Sequence, residues 1–165
     1  MKEPSADFVF FHSARRVVHA AGALARLDAI AKEFGCTRPA LVIDGFFVGG
    51  EIEARAVAAL KAGTGASPVV VPVPTHEPTT DTIAAAAEAL AASDPDLIVA
   101  VGGGSAMDTA KVARLLLSNP GPVEAISGFG KPCGRIARCL CVHPPRRGRV
   151  RKCRNRRSRP RSVRK

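Results

Sequence analysis

The chain has 165 residues and a formal net charge of +11, but this charge is unevenly distributed. Residues 1–130 hold ten Lys or Arg and all 14 Asp and Glu, whereas residues 131–165 hold fifteen Lys or Arg and no acid. We expect no membrane helix, since no apolar run reaches the roughly 18 residues required. The charged N-terminus shows no signal peptide, and the lone Cys36 of the first 130 residues favours a reducing cytoplasm.

Predicted strands and helices alternate along residues 1–130, which are long enough for one hydrophobic core. The predicted elements in chain order are a strand pair at Phe8–Phe11 and Arg16–His19, a helix Gly22–Phe34 that stops at Gly35, a strand Ala40–Ile43, a helix Glu51–Ala62 ended by Gly63, a strand Val69–Val73, a helix capped by Thr80 or Asp81 that runs to Ala92, a strand Leu97–Val101 and a helix Ser105–Leu117. This alternation predicts an α/β, Rossmann-like, doubly wound fold with a parallel sheet. Such sheets bind ligands at the carboxyl ends of their strands.

A run of three glycines follows the predicted strand Leu97–Val101 and precedes a helix. Glycines Gly102, Gly103 and Gly104 allow a sharp turn and a close approach of backbone to ligand. The N–H groups of Gly104, Ser105 and Ala106 would open the helix, where its dipole favours an anion such as a pyrophosphate. The spacing fits neither G-x-G-x-x-G nor a Walker A loop, and a glycine turn that binds nothing is the alternative.

Three charged residues are further candidates for this site. Asp44 ends a predicted strand 22 positions after Gly22, which suits a carboxylate that accepts ribose hydroxyls and repels a 2′-phosphate. This favours NAD over NADP; a solvated turn residue is the alternative. Asp108 and Lys111 share a helix face, and they could instead serve the helix dipole and the solvated surface. His76 is interpreted as a loop residue rather than a base.

Residues 8–130 resemble the N-terminal, nucleotide-binding half of the iron-containing alcohol dehydrogenases, which include glycerol dehydrogenases and maleylacetate reductases. The strongest match is Asp96–Lys111, similar to the family's Asp-φ-Ile-φ-φ-Val-Gly-Gly-Gly-Ser-x-φ-Asp-x-Ala-Lys, where φ is apolar. Residues 16–24 match an early strand-and-glycine element weakly, with His19-Ala20 where the family has Phe-Gly. The loop Pro74–Thr79 stands where the family has Pro-Asn-Pro-Thr.

The resemblance implies an NAD-dependent alcohol or carbonyl oxidoreductase with a bound Fe or Zn ion, forming a homo-oligomer. It assigns Asp44, Gly102–Ser105, Asp108 and Lys111 to the nucleotide cleft. In the family, one Asp and three His hold the metal in a C-terminal helical domain, and no such ligand set or catalytic residue is recognisable here. We therefore expect a truncated N-terminal fragment that binds the nucleotide without turnover.

The basic segment 131–165 needs its own explanation. Arg146–Cys153 can be encoded so that the neighbouring reading frame spells the family's Thr-Gly-Thr-Gly-Ser-Glu-Val, which predicts a tail translated out of frame. An arm that binds nucleic acid non-specifically is the alternative. A zinc site at Cys133, Cys139, Cys141, His143 and Cys153 is disfavoured because no C-x-x-C pair is present. With so few apolar residues to bury, we expect the tail to be disordered.

Overall fold

The computed structural model describes residues 22–126 and 138–142. The expected strands Phe8–Phe11 and Arg16–His19 lie outside the described residues, as does most of the basic segment. No helix within the two described ranges is long and apolar enough to cross a membrane.

A four-stranded parallel sheet forms the centre of the described fold. Its strands are β1 (Pro39–Asp44), β2 (Val69–Val73), β3 (Leu97–Val101) and β4 (Arg138–Val142), in the spatial order β2-β1-β3-β4. Strands β1 and β3 are formed almost wholly of buried apolar residues. Such continuous apolar runs are typical of parallel strands that are covered on both faces.

Helices cover both faces of the sheet. They are α1 (Leu27–Phe34), α2 (Glu51–Thr64), α3 (Thr80–Ala91), α4 (Gly104–Ser118) and the short α5 (Val123–Ile126). Alternate residues of β1 point to opposite faces, so that Ala40 and Val42 pack with α3 and α4, while Leu41 and Ile43 pack with α1 and α2. The expected α/β, Rossmann-like, doubly wound fold is confirmed for the described residues.

Several helix boundaries differ from those expected. The expected helix Gly22–Phe34 is a 3-10 helix over Ala23–Arg26 followed by α1 from Leu27. Helix α2 continues through Gly63 to Thr64, and Gly65 follows it with a φ of 79°, the left-handed conformation common after a helix. Gly63 is instead required by packing, because an added Cβ would collide with the backbone carbonyl oxygen of Asp28 on α1. Thr79, rather than Thr80 or Asp81, caps α3, and it forms a reciprocal capping box with Thr82.

A second difference concerns the segment assigned to the basic tail. Strand β4 lies inside that segment and pairs in parallel with β3, with Leu97 opposite Arg138 and Val101 opposite Val142. The expectation that all of 131–165 lacks structure is therefore wrong for residues 138–142. Backbone pairing to an existing strand can order a segment whose composition alone predicts disorder. The division of the chain at residue 130 otherwise stays a prediction.

Asp96 joins the starts of β1 and β3 at the sheet edge formed by the amino ends of the strands. Its carboxylate accepts hydrogen bonds from Thr37 N (2.9 Å), Thr37 Oγ1 (3.1 Å) and Arg38 N (2.9 Å). Burial by itself would raise the pKa of Asp96, but these hydrogen bonds and the nearby Arg38 guanidinium outweigh it and lower the pKa below the usual value. The carboxylate therefore stabilises the fold only while it is ionised.

Candidate functional site

The strand order places a topological switch point between β1 and β3. The chain passes from β1 to β2 on one side, and then returns across β1 to β3 on the other side. At such a point the two connections leave in opposite directions, and a crevice opens at the carboxyl ends of the two strands. Asp44 ends β1 at this edge, and the glycine turn follows β3 there.

Gly102 brings the ends of these two strands into contact. A Cβ added at Gly102 would lie 2.7 Å from Asp44 Cβ and 2.7 Å from Ala106 Cβ, which is much closer than an ordinary van der Waals contact. Only a residue without a side chain allows β1, β3 and the first turn of α4 to approach this closely. Asp44 and the glycine turn thus lie side by side at this edge of the sheet.

The start of helix α4 is open toward the crevice. Its N-cap residue Gly103 has no side chain that could accept a hydrogen bond from the helix. The first N–H groups of a helix also have no acceptor within the helix. An added Cβ at Gly103 or Gly104 would meet no atom of the described residues within 4 Å. In this part of the chain, packing therefore does not require glycine at these two positions, in contrast to Gly102.

Asp44 has one carboxylate oxygen engaged locally. Its Oδ1 accepts a hydrogen bond of 3.0 Å from Phe46 N and so caps the short 3-10 helix Gly45–Phe47. The turn role that the sequence left as an alternative is thus present. The hydrogen bond from Phe46 N holds the carboxylate in a fixed orientation beside Gly102. Within the described residues, Oδ2 of Asp44 accepts no hydrogen bond.

Asp108 and Lys111 lie one helical turn apart on α4. Lys111 Nζ and Asp108 Oδ1 are 3.0 Å apart, and the two side chains are 52% and 63% exposed. An exposed pair of this kind contributes little to stability. Their expected part in nucleotide binding, and that of Gly102–Ser105, stays a prediction. His76 is exposed, and its Nδ1 lies 2.8 Å from the carbonyl oxygen of Glu77.

Sequence reasoning missed Phe46 in this region. Its side chain is 79% exposed, and it follows Asp44 by two residues at the carboxyl end of β1. A large apolar residue immediately after a strand-ending Asp-Gly pair is the signal that could have indicated it, because this position lies outside both the predicted strand Ala40–Ile43 and the predicted helix Glu51–Ala62.

Comparison with known proteins assigns this arrangement to a family. The model of the family described as "Iron-containing alcohol dehydrogenase" matches residues 14–142. This chain belongs to that family. The match includes every described strand and ends at Val142, the last residue of β4.

Two of the proteins to which this chain is similar are sulfoacetaldehyde reductases. The chain is 36% identical over 66 residues to the sulfoacetaldehyde reductase of Bilophila wadsworthia (strain 3_1_6), which covers 40% of this chain and 17% of that protein. It is also similar to the crystal structure of sulfoacetaldehyde reductase from Bifidobacterium kashiwanohense in complex with NAD⁺, with a TM-score of 0.63 and 25% identity over 74% of this chain and 32% of that one.

A second similar structure supports the fold alone. The NADH-dependent butanol dehydrogenase A of Thermotoga maritima has a TM-score of 0.67 at 20% identity, covering 82% of this chain and 34% of that one. The chain thus spans about a third of the length of the solved relatives that it matches.

Metal ligands are a separate question for an iron-containing family. Among residues 22–126, no three His, Cys, Asp or Glu side chains lie close enough together to hold an ion. The described residues therefore do not fit a metal centre, and no metal-dependent step is assigned to them.

Proposed function

We propose that this chain binds the nicotinamide dinucleotide NAD at the carboxyl edge of β1 and β3. The observation that carries the proposal is the contact of Asp44 with Gly102 at the switch point, next to the uncapped start of α4. In this arrangement the pyrophosphate would lie against the backbone of Gly103, Gly104 and Ser105. The helix start would supply unpaired N–H donors and a favourable dipole there.

Asp44 would then set the choice between NAD and NADP. With Oδ1 held by Phe46 N, the remaining oxygen Oδ2 can accept a hydrogen bond from a ribose hydroxyl. A 2′-phosphate at the same place would bring negative charge next to the carboxylate, and like charges a few ångströms apart repel. NAD is therefore favoured over NADP.

The proposed role of the whole enzyme follows from its family. It would transfer a hydride between the nicotinamide ring and the carbon of an alcohol or carbonyl substrate, with a metal ion to polarise the substrate oxygen. The residues described here would hold and orient the nucleotide. We infer that the 165-residue chain by itself binds the nucleotide without turnover, since the described residues contain no metal-ligand cluster.

Titration of the full chain with NADH, followed by nicotinamide fluorescence, tests this proposal. Gly104→Ala should leave the urea midpoint unchanged or slightly higher, because its methyl group meets no described atom. Gly103→Ala should lower the midpoint slightly, because Ala is a poorer N-cap residue than Gly. The same methyl groups would occupy the place of the pyrophosphate, so the affinity for NADH should fall at least about tenfold, or about 1.4 kcal/mol. Glu88→Ala, exposed on α3, is the control that should leave affinity unchanged.

A second pair of titrations tests the part of Asp44. Asp44→Asn keeps an oxygen that can accept the hydrogen bond from Phe46 N but removes the negative charge. The ratio of the NADPH dissociation constant to the NADH dissociation constant should therefore fall. The proposal is wrong if the wild-type chain shows no saturable binding of NADH. It is also wrong if both glycine variants bind NADH as the wild type does. A chain that instead binds no dinucleotide but binds duplex DNA with an affinity that falls steeply with salt concentration would favour the nucleic-acid arm.

A further inference from the structure

The most exposed large apolar side chain of the described residues lies beside the proposed nucleotide site. Phe46 is 79% exposed and follows Asp44 directly after Gly45. Exposure of a phenyl ring to water is unfavourable, and neither the sheet nor the helices use this ring for packing. A ligand that covers it would remove that cost.

The ring of Phe46 is nevertheless held in place. The backbone N–H of Phe46 donates a hydrogen bond to Asp44 Oδ1 at 3.0 Å. The phenyl ring packs edge-to-face on the ring of Phe47, with ring centroids 5.2 Å apart and an angle of 83° between the ring planes. Phe47 in turn packs against the buried cluster beneath α1 and α2. An aromatic ring that is fixed on one side and open on the other loses little conformational entropy when a flat ligand covers it.

The order of groups along this edge matches the order of groups in a dinucleotide. After Asp44 the chain runs toward β2. A Cβ added at Gly45 would lie only 3.2 Å from the carbonyl oxygen of Val73, the last residue of β2. The glycine turn lies on the other side of Asp44, at the end of β3. Glycine turn, Asp44 and Phe46 therefore follow one another as do pyrophosphate, adenosine ribose and adenine.

We propose that Phe46 stacks on the adenine ring and supplies the base-binding part of the nucleotide site. This inference rests on the proposed function, since it assumes a dinucleotide with its ribose at Asp44. Stacking does not depend on a particular hydrogen-bond pattern and tolerates any flat aromatic base. Affinity should consequently depend on the aromatic character of position 46 and on the presence of the base in the ligand.

The amino-acid composition allows a direct optical test. The chain contains no Trp and no Tyr, so Phe46→Trp introduces the only indole. Val69→Trp is the matched control, because Val69 is 42% exposed and begins β2 at the opposite edge of the sheet. ADP-ribose, which lacks nicotinamide, should quench the fluorescence of Phe46→Trp with a saturable dependence and leave that of Val69→Trp unchanged.

Affinity measurements by calorimetry on the full chain complete the test. Phe46→Ala should weaken NAD⁺ and ADP-ribose about tenfold, while Phe46→Trp binds both as well as the wild type does. Nicotinamide mononucleotide, which lacks adenine, should bind wild type and Phe46→Ala equally. The urea midpoint of Phe46→Ala should match the wild type, since so exposed a ring adds little to the core.

The two proposals fail in different ways. If the wild-type chain binds NAD⁺ but Phe46→Ala binds it equally well, and ADP-ribose does not quench Phe46→Trp, the stacking role is wrong while the nucleotide site stands. If the wild-type chain binds neither NAD⁺ nor ADP-ribose, the proposed function itself is wrong and the stacking role is wrong with it.

Discussion

Replacing Asp96 with Asn changes one atom at the joint between β1 and β3. In the wild type, one carboxylate oxygen accepts from Thr37 N and Thr37 Oγ1, and the other accepts from Arg38 N. An Asn side chain has a single acceptor oxygen, so its NH₂ group must face one of the two backbone N–H groups. At least one backbone donor therefore loses its partner, and the remaining hydrogen bonds lose their assistance from the negative charge.

The cost of this change can be worked out from the hydrogen bonds. Loss of one hydrogen bond to a charged group costs about 1.5–3 kcal/mol when the site is dry. Asp96 is only partly buried, and water can reach the abandoned donor. We therefore expect a loss of about 1–2 kcal/mol in the free energy of unfolding at pH 7. With a urea m-value of about 1–1.5 kcal/mol/M, the midpoint should fall by about 1 M.

The effect should depend on pH with a definite sign. The pKa of Asp96 is lower in the folded state than in the unfolded chain. Its contribution to stability is then fully present above the unfolded pKa and is lost as the pH falls through the folded pKa. Urea unfolding of wild type and Asp96→Asn, followed by circular dichroism between pH 7 and pH 3, should show a difference that shrinks toward the acid end.

Asp94→Asn provides the control for this experiment. Asp94 is 91% exposed, pairs with Arg38 at 3.3 Å and has a φ of 42°, which Asn tolerates well. Its replacement should leave the urea midpoint within experimental error. If Asp96→Asn behaves like Asp94→Asn at pH 7, or if its effect is the same at every pH, the assigned role of Asp96 is refuted.

Three further predictions concern the fold, the activity and the gene. Gly63→Ala should lower the free energy of unfolding, measured with urea, by about 1–3 kcal/mol, although helix propensity alone favours Ala over Gly by up to about 1 kcal/mol. The control Ala58→Gly, exposed on the same helix, should lower it by only about 0.5–1 kcal/mol. A urea midpoint of Gly63→Ala above that of the wild type would contradict the contact with Asp28. The purified chain with added Fe²⁺ or Zn²⁺ should neither reduce NAD⁺ nor oxidise NADH with a panel of alcohols and aldehydes, and turnover above a heat-denatured control would contradict the proposal. The coding DNA, shifted by one base between the codons for Val142, where the family match ends, and Arg146, should continue into an open frame that encodes Thr-Gly-Thr-Gly-Ser-Glu-Val and then spaced Asp and His residues. An early stop codon in that frame would overturn the out-of-frame tail.

Much of the fold is determined by local patterns in the sequence. The strands Val69–Val73 and Leu97–Val101 have the bounds expected from their apolar runs, and the glycine turn lies at the carboxyl end of β3 as expected. These features are predictable because strands of a parallel sheet are rich in apolar, β-branched residues and because the tight turn after β3 needs glycine at Gly102. Both constraints act within a few residues of chain.

Contacts between distant residues determined the remaining features. Gly63 was expected to end its helix, yet it is glycine because α1 passes against it, 35 positions earlier at Asp28. Asp96 was expected only as the first residue of a motif, yet it accepts hydrogen bonds from Thr37 and Arg38 across the sheet. Neither partner is visible in the local sequence, because sequence patterns do not specify which elements pack together.

The same distinction applies to the candidate site and to β4. Asp44 and Gly102 could be proposed from the sequence because each follows a recognisable strand, but only the parallel pairing of β1 with β3 brings them into contact. Composition predicted disorder for residues 138–142, whereas pairing with β3 makes them a strand. Periodicity and composition indicate which secondary structure a segment favours when it is considered alone. Which other segment satisfies its backbone hydrogen bonds is determined by the tertiary structure.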